Sequence, residues 1–215
     1  NDAFNQLEQH FKDITADESI TGAVLTGFGI KAFVSGADVG FLAKIDSASM
    51  GEETSRGSQL SVQAIEDCPK PVVCALNGLA FGGGNEIAMA CDIRISRAGI
   101  KVLVGQPEVN LGIIPGAGGT QRLPRWVGVE KAAELMRTGR PISSSEALSI
   151  GLTTEEIAGD PRALRQRAFE LVQLAASGDS PFKGIEKGPI ETPNVLPVVD
   201  LGHLSTEVDR LLQKA

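Results

Sequence analysis

Histidine is scarce in this chain, with only His10 and His203 among 215 residues. No HExxH pair is available for zinc, and a nucleophile–histidine–acid triad would have to draw its base from one of these two. Cysteine is nearly as rare: Cys68, Cys74 and Cys91 lie in apolar or strand-like surroundings without CxxC spacing, which argues against a disulfide framework or a zinc site. That usage fits a reducing compartment, and a cytoplasmic location is expected. Basic charge is short as well. The 20 Lys+Arg against 27 Asp+Glu leave a net charge of −7, so neither nucleic acid nor an anionic membrane surface is expected as the main partner. No run approaches the ~20 apolar residues of a membrane span. The opening Asn1-Asp2-Ala3-Phe4-Asn5 has neither a basic n-region nor an apolar h-region, so a soluble, untargeted chain is expected. Walker A and GxSxG motifs are missing too.

What remains is a chain with 42% hydrophobic residues, enough to bury a sizeable core and to predict one α/β domain. Apolar spacing predicts a helix over 3–13, and short apolar runs predict strands at 23–26, 32–34, 72–76, 91–96 and 102–104. The stretch 45–57, rich in Ser, Gly and charge, reads as a mobile pocket lid ahead of a short helix over 60–65. From Gly118 onward helices are predicted over 120–126, 129–137, 143–150, 161–176 and 204–212, with a Pro/Gly-rich connector from Ser177 to Pro197. Leu164, Ala168, Leu171, Val172 and Ala175 form an apolar face that no later segment covers, so exposed apolar surface is expected there.

Chemistry concentrates between Gly82 and Glu108. A β-capable run, Ala75 to Phe81, leads into Gly82-Gly83-Gly84-Asn85-Glu86, and Ile87 to Cys91 reads as a small-residue buried helix. The glycines therefore sit at a strand-to-helix corner, where the first N–H groups of a helix have no intrahelical partner and the dipole adds positive charge. An oxyanion on Gly83 N–H would be stabilised, and glycine is expected there because a side chain would obstruct close approach or strain the backbone. Glu86 and, after Gly105-Gln106-Pro107, Glu108 supply two acids. Singly, Glu86 reads as a dipole-satisfying acid and Glu108 as a solvated loop acid; together beside an oxyanion site they read as an acid–base pair. Asp38 fits a helix N-cap better than a metal ligand. Gly27-Phe28-Gly29-Ile30-Lys31-Ala32 matches a dinucleotide fingerprint but runs into strand-forming Phe33-Val34, so a strand-to-strand turn is predicted. Gly116-Ala117-Gly118-Gly119-Thr120 could cradle an anion or simply begin a helix tightly.

Over Asn1 to about Leu152 the chain resembles the crotonase (enoyl-CoA hydratase/isomerase) superfamily. The resemblance is carried by Lys31 to Asp38, by Lys70-Pro71-Val72 through Asn77-Gly78 with Gly82 to Glu86, and by Gly105 to Glu108 with Gly112 to Leu123, the last being hydratase-like. It implies a spiral of repeated ββα units with a helical C-terminal part: a core at 1–152 whose first strand is missing, and an extension at 153–215. It also implies that Ser35 and Gly83 N–H groups form an oxyanion hole, that Ser35, Gly36, Ala37, Asp38 and Gly83 line the substrate site, and that Glu86 and Glu108 are catalytic. No metal or resident cofactor is implied, since coenzyme A arrives as part of the substrate. A homo-trimer or hexamer is expected.

The chain departs from family members in lacking their first strand and C-terminal covering helices, so it reads as a fragment. The spacing from Glu86 to Glu108 is slightly long, with extra residues expected around Ser96 to Lys101. The insert from Gly184 to Pro197 resembles crotonase domains of larger multifunctional proteins. Hydration of an enoyl-CoA in fatty acid metabolism is the leading expectation, with Glu86 as base toward water and Glu108 as acid toward C2. A Δ3,Δ2-enoyl-CoA isomerase and a non-catalytic acyl-CoA-binding domain are the alternatives.

Overall fold

The computed structural model describes residues 2–180 and Phe182. The insert at Gly184 to Pro197, His203 and the helix expected over 204–212 lie outside the described residues. Helix α1 (Asp2–Ala16) turns Phe4, Leu7, Phe11 and Ile14 to one side, a helical spacing that buries that stripe. Two short strands follow, β1 (Ala23–Thr26) and β2 (Ala32–Val34). Between them the Gly27 to Ala32 stretch is a strand-to-strand turn as expected, held by buried Asn77, which accepts from Gly27 N–H and donates to the Gly29 and Ala32 carbonyls. Helix α2 (Val39–Leu42) is a single turn.

The stretch over 45–57 is helical from Ala48 onward rather than irregular. Ser47 caps helix α3 (Ala48–Glu66), its hydroxyl accepting from Met50 N–H, so helix replaces the predicted irregular segment and absorbs the short helix expected over 60–65. Only Ser61, Val62 and Ile65 of α3 are buried, and all lie in its last turns. The first turns ride on the surface, where tertiary packing rather than an apolar stripe supports a polar helix.

The next repeat comprises β3 (Val72–Leu76), β4 (Leu79–Phe81) and α4 (Gly83–Met89). Strands β5 (Ile93–Arg97) and β6 (Val104–Gly105) follow, then a 3-10 helix at Pro107–Leu111 and helices α5 (Gly119–Val127), α6 (Val129–Thr138) and α7 (Ser144–Ser149). The strand expected over 102–104 is shifted, pairing only at Val104–Gly105. Strand β7 (Glu155–Ile157), too polar to be read from the sequence, and helix α8 (Pro161–Ala176) complete the described chain.

Among the described residues the named strands pair with one another in parallel: β1, β3, β5 and β7 form one sheet and β2, β4 and β6 another, with one antiparallel bridge from Val104 to Ile142. Each ββα repeat thus gives one strand to each layer, the spiral that the resemblance implied. Strand β3 is buried at every position, since a parallel sheet covered on both faces calls for a continuous apolar run. Its side chains alternate: Val72, Cys74 and Leu76 face the cluster containing α1, α3 and α4, while Val73 and Ala75 join Ile93 and Ile95 on the other face. The register of β2 against β4 shifts between Ala32 and Val34, a bulge just before the chain leaves the strand.

The apolar face of α8 is covered, contrary to expectation. Leu164, Ala168, Leu171 and Val172 pack on Val73, Ala75, Ile93 and Ile95 of the larger sheet, so the sheet itself provides the cover that seemed to require a later segment. This cluster joins residues on both sides of position 152. Leu171 is fully buried in it. Leu171→Ala should destabilise the fold by ~2–5 kcal/mol through the lost transfer energy and the cavity left behind. Urea denaturation will show this, and a midpoint unchanged from wild type would mean that α8 does not close the core.

Candidate active site

The carboxyl ends of β2, β4 and β6 lie side by side, and each carries one part of the site. Ser35 follows β2, Gly82 and Gly83 follow β4, and Glu108 follows β6. Val34 is opposite Ala80 and Phe81 is opposite Gly105. Neighbouring strands are ~4.8 Å apart, so the ends of β2 and β4 present their exits as a pair. Ser35 is exposed and Gly83 half-buried, which leaves both accessible to a ligand at this edge. Gly36, at φ +100°, turns the chain away, and a Cβ there would lie 2.9 Å from Phe81 O. Ala37 is exposed. The Asp38 carboxylate accepts from Gly40 N–H at 2.8 Å and caps α2, as the residue pattern predicted.

Glycine is required at positions adjacent to Gly83 rather than at Gly83 itself. Gly82 adopts φ +50°, where a Cβ would lie 2.8 Å from Glu108 Oε1, and a Cβ on Gly84 would overlap Val34 O. Gly83 is the first residue of α4, and a Cβ there would meet only Phe4 Cζ at 3.4 Å, an ordinary contact. The expectation that a side chain at Gly83 would be strained is therefore corrected. Its N–H remains one of the unpaired donors that begin any helix.

Glu86, in the first turn of α4, is 2% exposed. Its Oε1 accepts from Ala117 N–H at 2.8 Å and Gly119 N–H at 2.7 Å. The Gly116 to Thr120 motif thus both begins a helix and cradles a carboxyl group, that of the chain's own Glu86. Burial raises the pKa of Glu86, opposed by the Gly119 and Ala117 N–H bonds and then by the Arg122 guanidinium.

Glu108 is not a solvated loop acid. The 3-10 helix at Pro107–Leu111 carries it inward, where it is 8% exposed. Burial pushes its pKa up to about 7, with the charge of Glu86 adding to the rise. Two functional neighbours escaped the sequence reading. Asn85 Nδ2 donates to Gln106 Oε1 at 2.8 Å, which fixes the amide so that Gln106 Nε2 faces the Glu108 carboxyl at 3.3 and 3.4 Å. A Cβ on Gly119 would lie 3.0 Å from both Gln106 Nε2 and Glu86 Oε1, so this amide also stands beside the first acid. Both residues were visible as the neighbours of the two glutamates, but nothing in their spacing indicated a mutual bond.

The arrangement can do acid–base chemistry. One carboxyl is held by two N–H donors that favour its anion, the other is left near half-protonation at neutral pH, and N–H groups at a helix start and strand exit can receive developing negative charge. Among the described residues no group of three or more His, Cys, Asp or Glu is placed to hold a metal ion. No helix among them is long and apolar enough to cross a membrane.

A family model for enoyl-CoA hydratase/isomerase matches residues 1–181. The fatty acid oxidation complex subunit alpha of Shewanella halifaxensis is 39% identical over 178 residues, 83% of this chain and 24% of that protein. Crotonyl-CoA hydratase of Syntrophomonas wolfei is 38% identical over 179 residues, 81% of this chain and 68% of that protein. The crystal structure of enoyl-CoA hydratase from Bacillus anthracis superposes with a TM-score of 0.72 at 38% identity, covering 81% of this chain and 66% of the other. The chain therefore spans about a quarter of the fatty acid oxidation subunit and about two thirds of the two hydratases.

The raised pKa of Glu108 has a consequence for stability. An acid whose folded pKa lies above its unfolded value stabilises the fold below the unfolded value and loses that contribution as pH rises through the folded one, here from 4.5 to about 7. Glu108→Gln should match wild type near the lower end of that window and exceed it above the upper end by about 1–3 kcal/mol. Urea denaturation across this range measures the difference. A Glu108→Gln stability curve parallel to wild type throughout would show that Glu108 titrates as an ordinary exposed acid.

Proposed function

The chain belongs to the enoyl-CoA hydratase/isomerase family, and from that premise we propose that it adds water across the 2,3 double bond of an enoyl-CoA thioester. The observation that carries this reading is the pair of buried glutamates, Glu86 and Glu108, held in one site with different hydrogen-bond environments. Relatives named crotonyl-CoA hydratase and short-chain-enoyl-CoA hydratase support it.

In this mechanism the thioester oxygen sits on the N–H groups of Ser35 and Gly83, with half-buried Gly36 and exposed Ala37 and Asp38 alongside the acyl-CoA. Glu86, ionised and anchored through Oε1, takes a proton from water as the oxygen bonds to C3. The double-bond electrons move toward the carbonyl, and enolate charge develops on the thioester oxygen. Two preorganised donors act where that charge appears, and the loss of one such donor costs ~3 kcal/mol. Glu108, protonated, then delivers its proton to C2, and the carbonyl reforms. The pair ends with its protons exchanged, Glu86 neutral and Glu108 charged, until solvent restores it. Coupled acids share their titration, so macroscopic pKa values belong to the pair.

The proposed enzyme needs no metal or resident cofactor, because coenzyme A is part of the substrate. A role in fatty acid metabolism follows from the substrate class. Assembly as a homo-trimer or hexamer is also proposed: Leu111, Ile113 and Ile114 present apolar side chains to solvent beside the site, a surface that second copies would cover. The unpaired Cys68, Cys74 and Cys91 fit a cytoplasmic setting.

Glu86→Gln and Glu108→Gln should each lower hydration of crotonyl-CoA by about 10²–10⁴-fold, followed as loss of enoyl-thioester absorbance. A folded variant of either kind with near wild-type turnover would defeat the two-acid mechanism and favour an acyl-CoA-binding role. Isomerisation of a 3-enoyl-CoA that survives Glu86→Gln but not Glu108→Gln would move the assignment to the isomerase, for which one acid suffices.

A further inference from the structure

We propose that Ser55 and Gln59 of α3 are positioning residues for Glu86, acting through the peptide unit that joins Gly116 to Ala117; this rests on the reading of Glu86 as the base. The N–H end of that unit donates to Glu86 Oε1 at 2.8 Å. Its carbonyl end accepts from Ser55 Oγ at 2.7 Å and from Gln59 Nε2 at 2.9 Å. Gln59 Nε2 also donates to Ser55 Oγ at 3.0 Å, so the two side chains hold each other in place. An amide is conjugated from oxygen to nitrogen, so donors on its oxygen draw density from the nitrogen and strengthen the N–H as a donor. The second donor to Glu86 is built the same way: the peptide ending in Gly119 N–H has its carbonyl, Gly118 O, accepting from Gln121 and Arg122 N–H groups at 3.0 Å each.

Helix α3 braces the turn at the next carbonyl as well. Arg122 Nη1 donates to Ala117 O at 3.2 Å, while its other nitrogens donate to Gln63 Oε1 at 3.0 Å and Glu66 Oε2 at 2.7 Å. Ser55, Gln59, Gln63 and Glu66 follow one another at three- and four-residue steps and so form one stripe of the helix. Within that stripe, Ser55 and Gln59 are the pair whose bonds end on a donor to the reacting carboxylate. The charged groups acting on Glu86 are Arg122 of α5 and Glu108 of the 3-10 helix, and neither is altered by changes at 55 or 59. Ser55 is half-buried and Gln59 exposed, so both can be changed without emptying the core.

The test is direct titration of Glu86. In the 215-residue chain labelled with ¹³C at glutamate carboxyls, the Glu86 resonance is assigned by its loss in Glu86→Gln. The Ser55→Ala/Gln59→Met double variant should move the Glu86 midpoint to higher pH, because a weaker Ala117 N–H stabilises the anion less. Ser55→Thr, which keeps a hydroxyl, should leave it near wild type. In parallel, kcat for crotonyl-CoA hydration should fall by about two- to tenfold, with the acidic limb of the kcat/KM profile displaced upward in pH and KM little changed. An unchanged Glu86 midpoint in the double variant overturns the proposal, as does a Ser55→Thr midpoint shifted as far as that of the double variant. If wild type fails to hydrate crotonyl-CoA, the hydratase reading falls while the titration still decides whether α3 controls Glu86.

Discussion

Two carboxyl groups buried in one small site impose the constraint around which the rest of this structure is arranged. An ion taken out of water loses several kcal/mol of solvation, and a second like charge nearby adds to the penalty. The fold answers differently for the two acids. Glu86 receives two backbone N–H bonds and the field of Arg122, compensation supplied by an element more than thirty residues distant in sequence. Glu108 receives the side-chain amide of Gln106, two residues away, at 3.3 and 3.4 Å, and its pKa rises to about 7. Burial raises the pKa of both acids, but the groups that oppose it differ, and for Glu86 they are backbone N–H groups set by the geometry of a distant turn.

The geometry of the site depends on the parallel register of very short strands. Strands β2, β4 and β6 contain three, three and two residues, too few to form a stable sheet alone. They keep their places because each is continuous with a strand of the four-stranded layer, through turns such as the one that Asn77 holds at Gly27 and Ala32. The bulge near Phe33 adjusts the exit of β2 relative to β4. The site is therefore positioned by connections between layers more than by the strength of its own pairing.

Much of this was legible in the chain. Buried strands such as Val72–Leu76 declare themselves by continuous apolar runs, and the glycine corner before Glu86 declares itself by the shift from strand to helix pattern. What was not legible depended on contacts between distant segments. The first turns of α3 look like a loop because their partner is the Gly116 carbonyl, which no local periodicity reveals. Strand β7 is polar enough to be missed and is a strand because β5 lies beside it. The face of α8 seemed to want a cover because the sheet that covers it is assembled from segments spread over the chain. Gly83 drew attention for its position, whereas the strain and the close packing fall on Gly82 and Gly84, a distinction that requires φ values and neighbours.

The cluster beneath α8 lies across the larger sheet from Glu86 and Glu108 and shares none of its buried residues with the cluster nearer the site. Energetic effects at separated positions without common partners combine almost additively. Enzymes commonly exchange robustness for activity where catalysis demands strained or buried polar groups. Here the two demands fall on opposite faces of one sheet. Mutational drift can therefore reinforce the α8 face without disturbing proton affinity at the site, and the cost of burying two acids can be met where no substrate reaches.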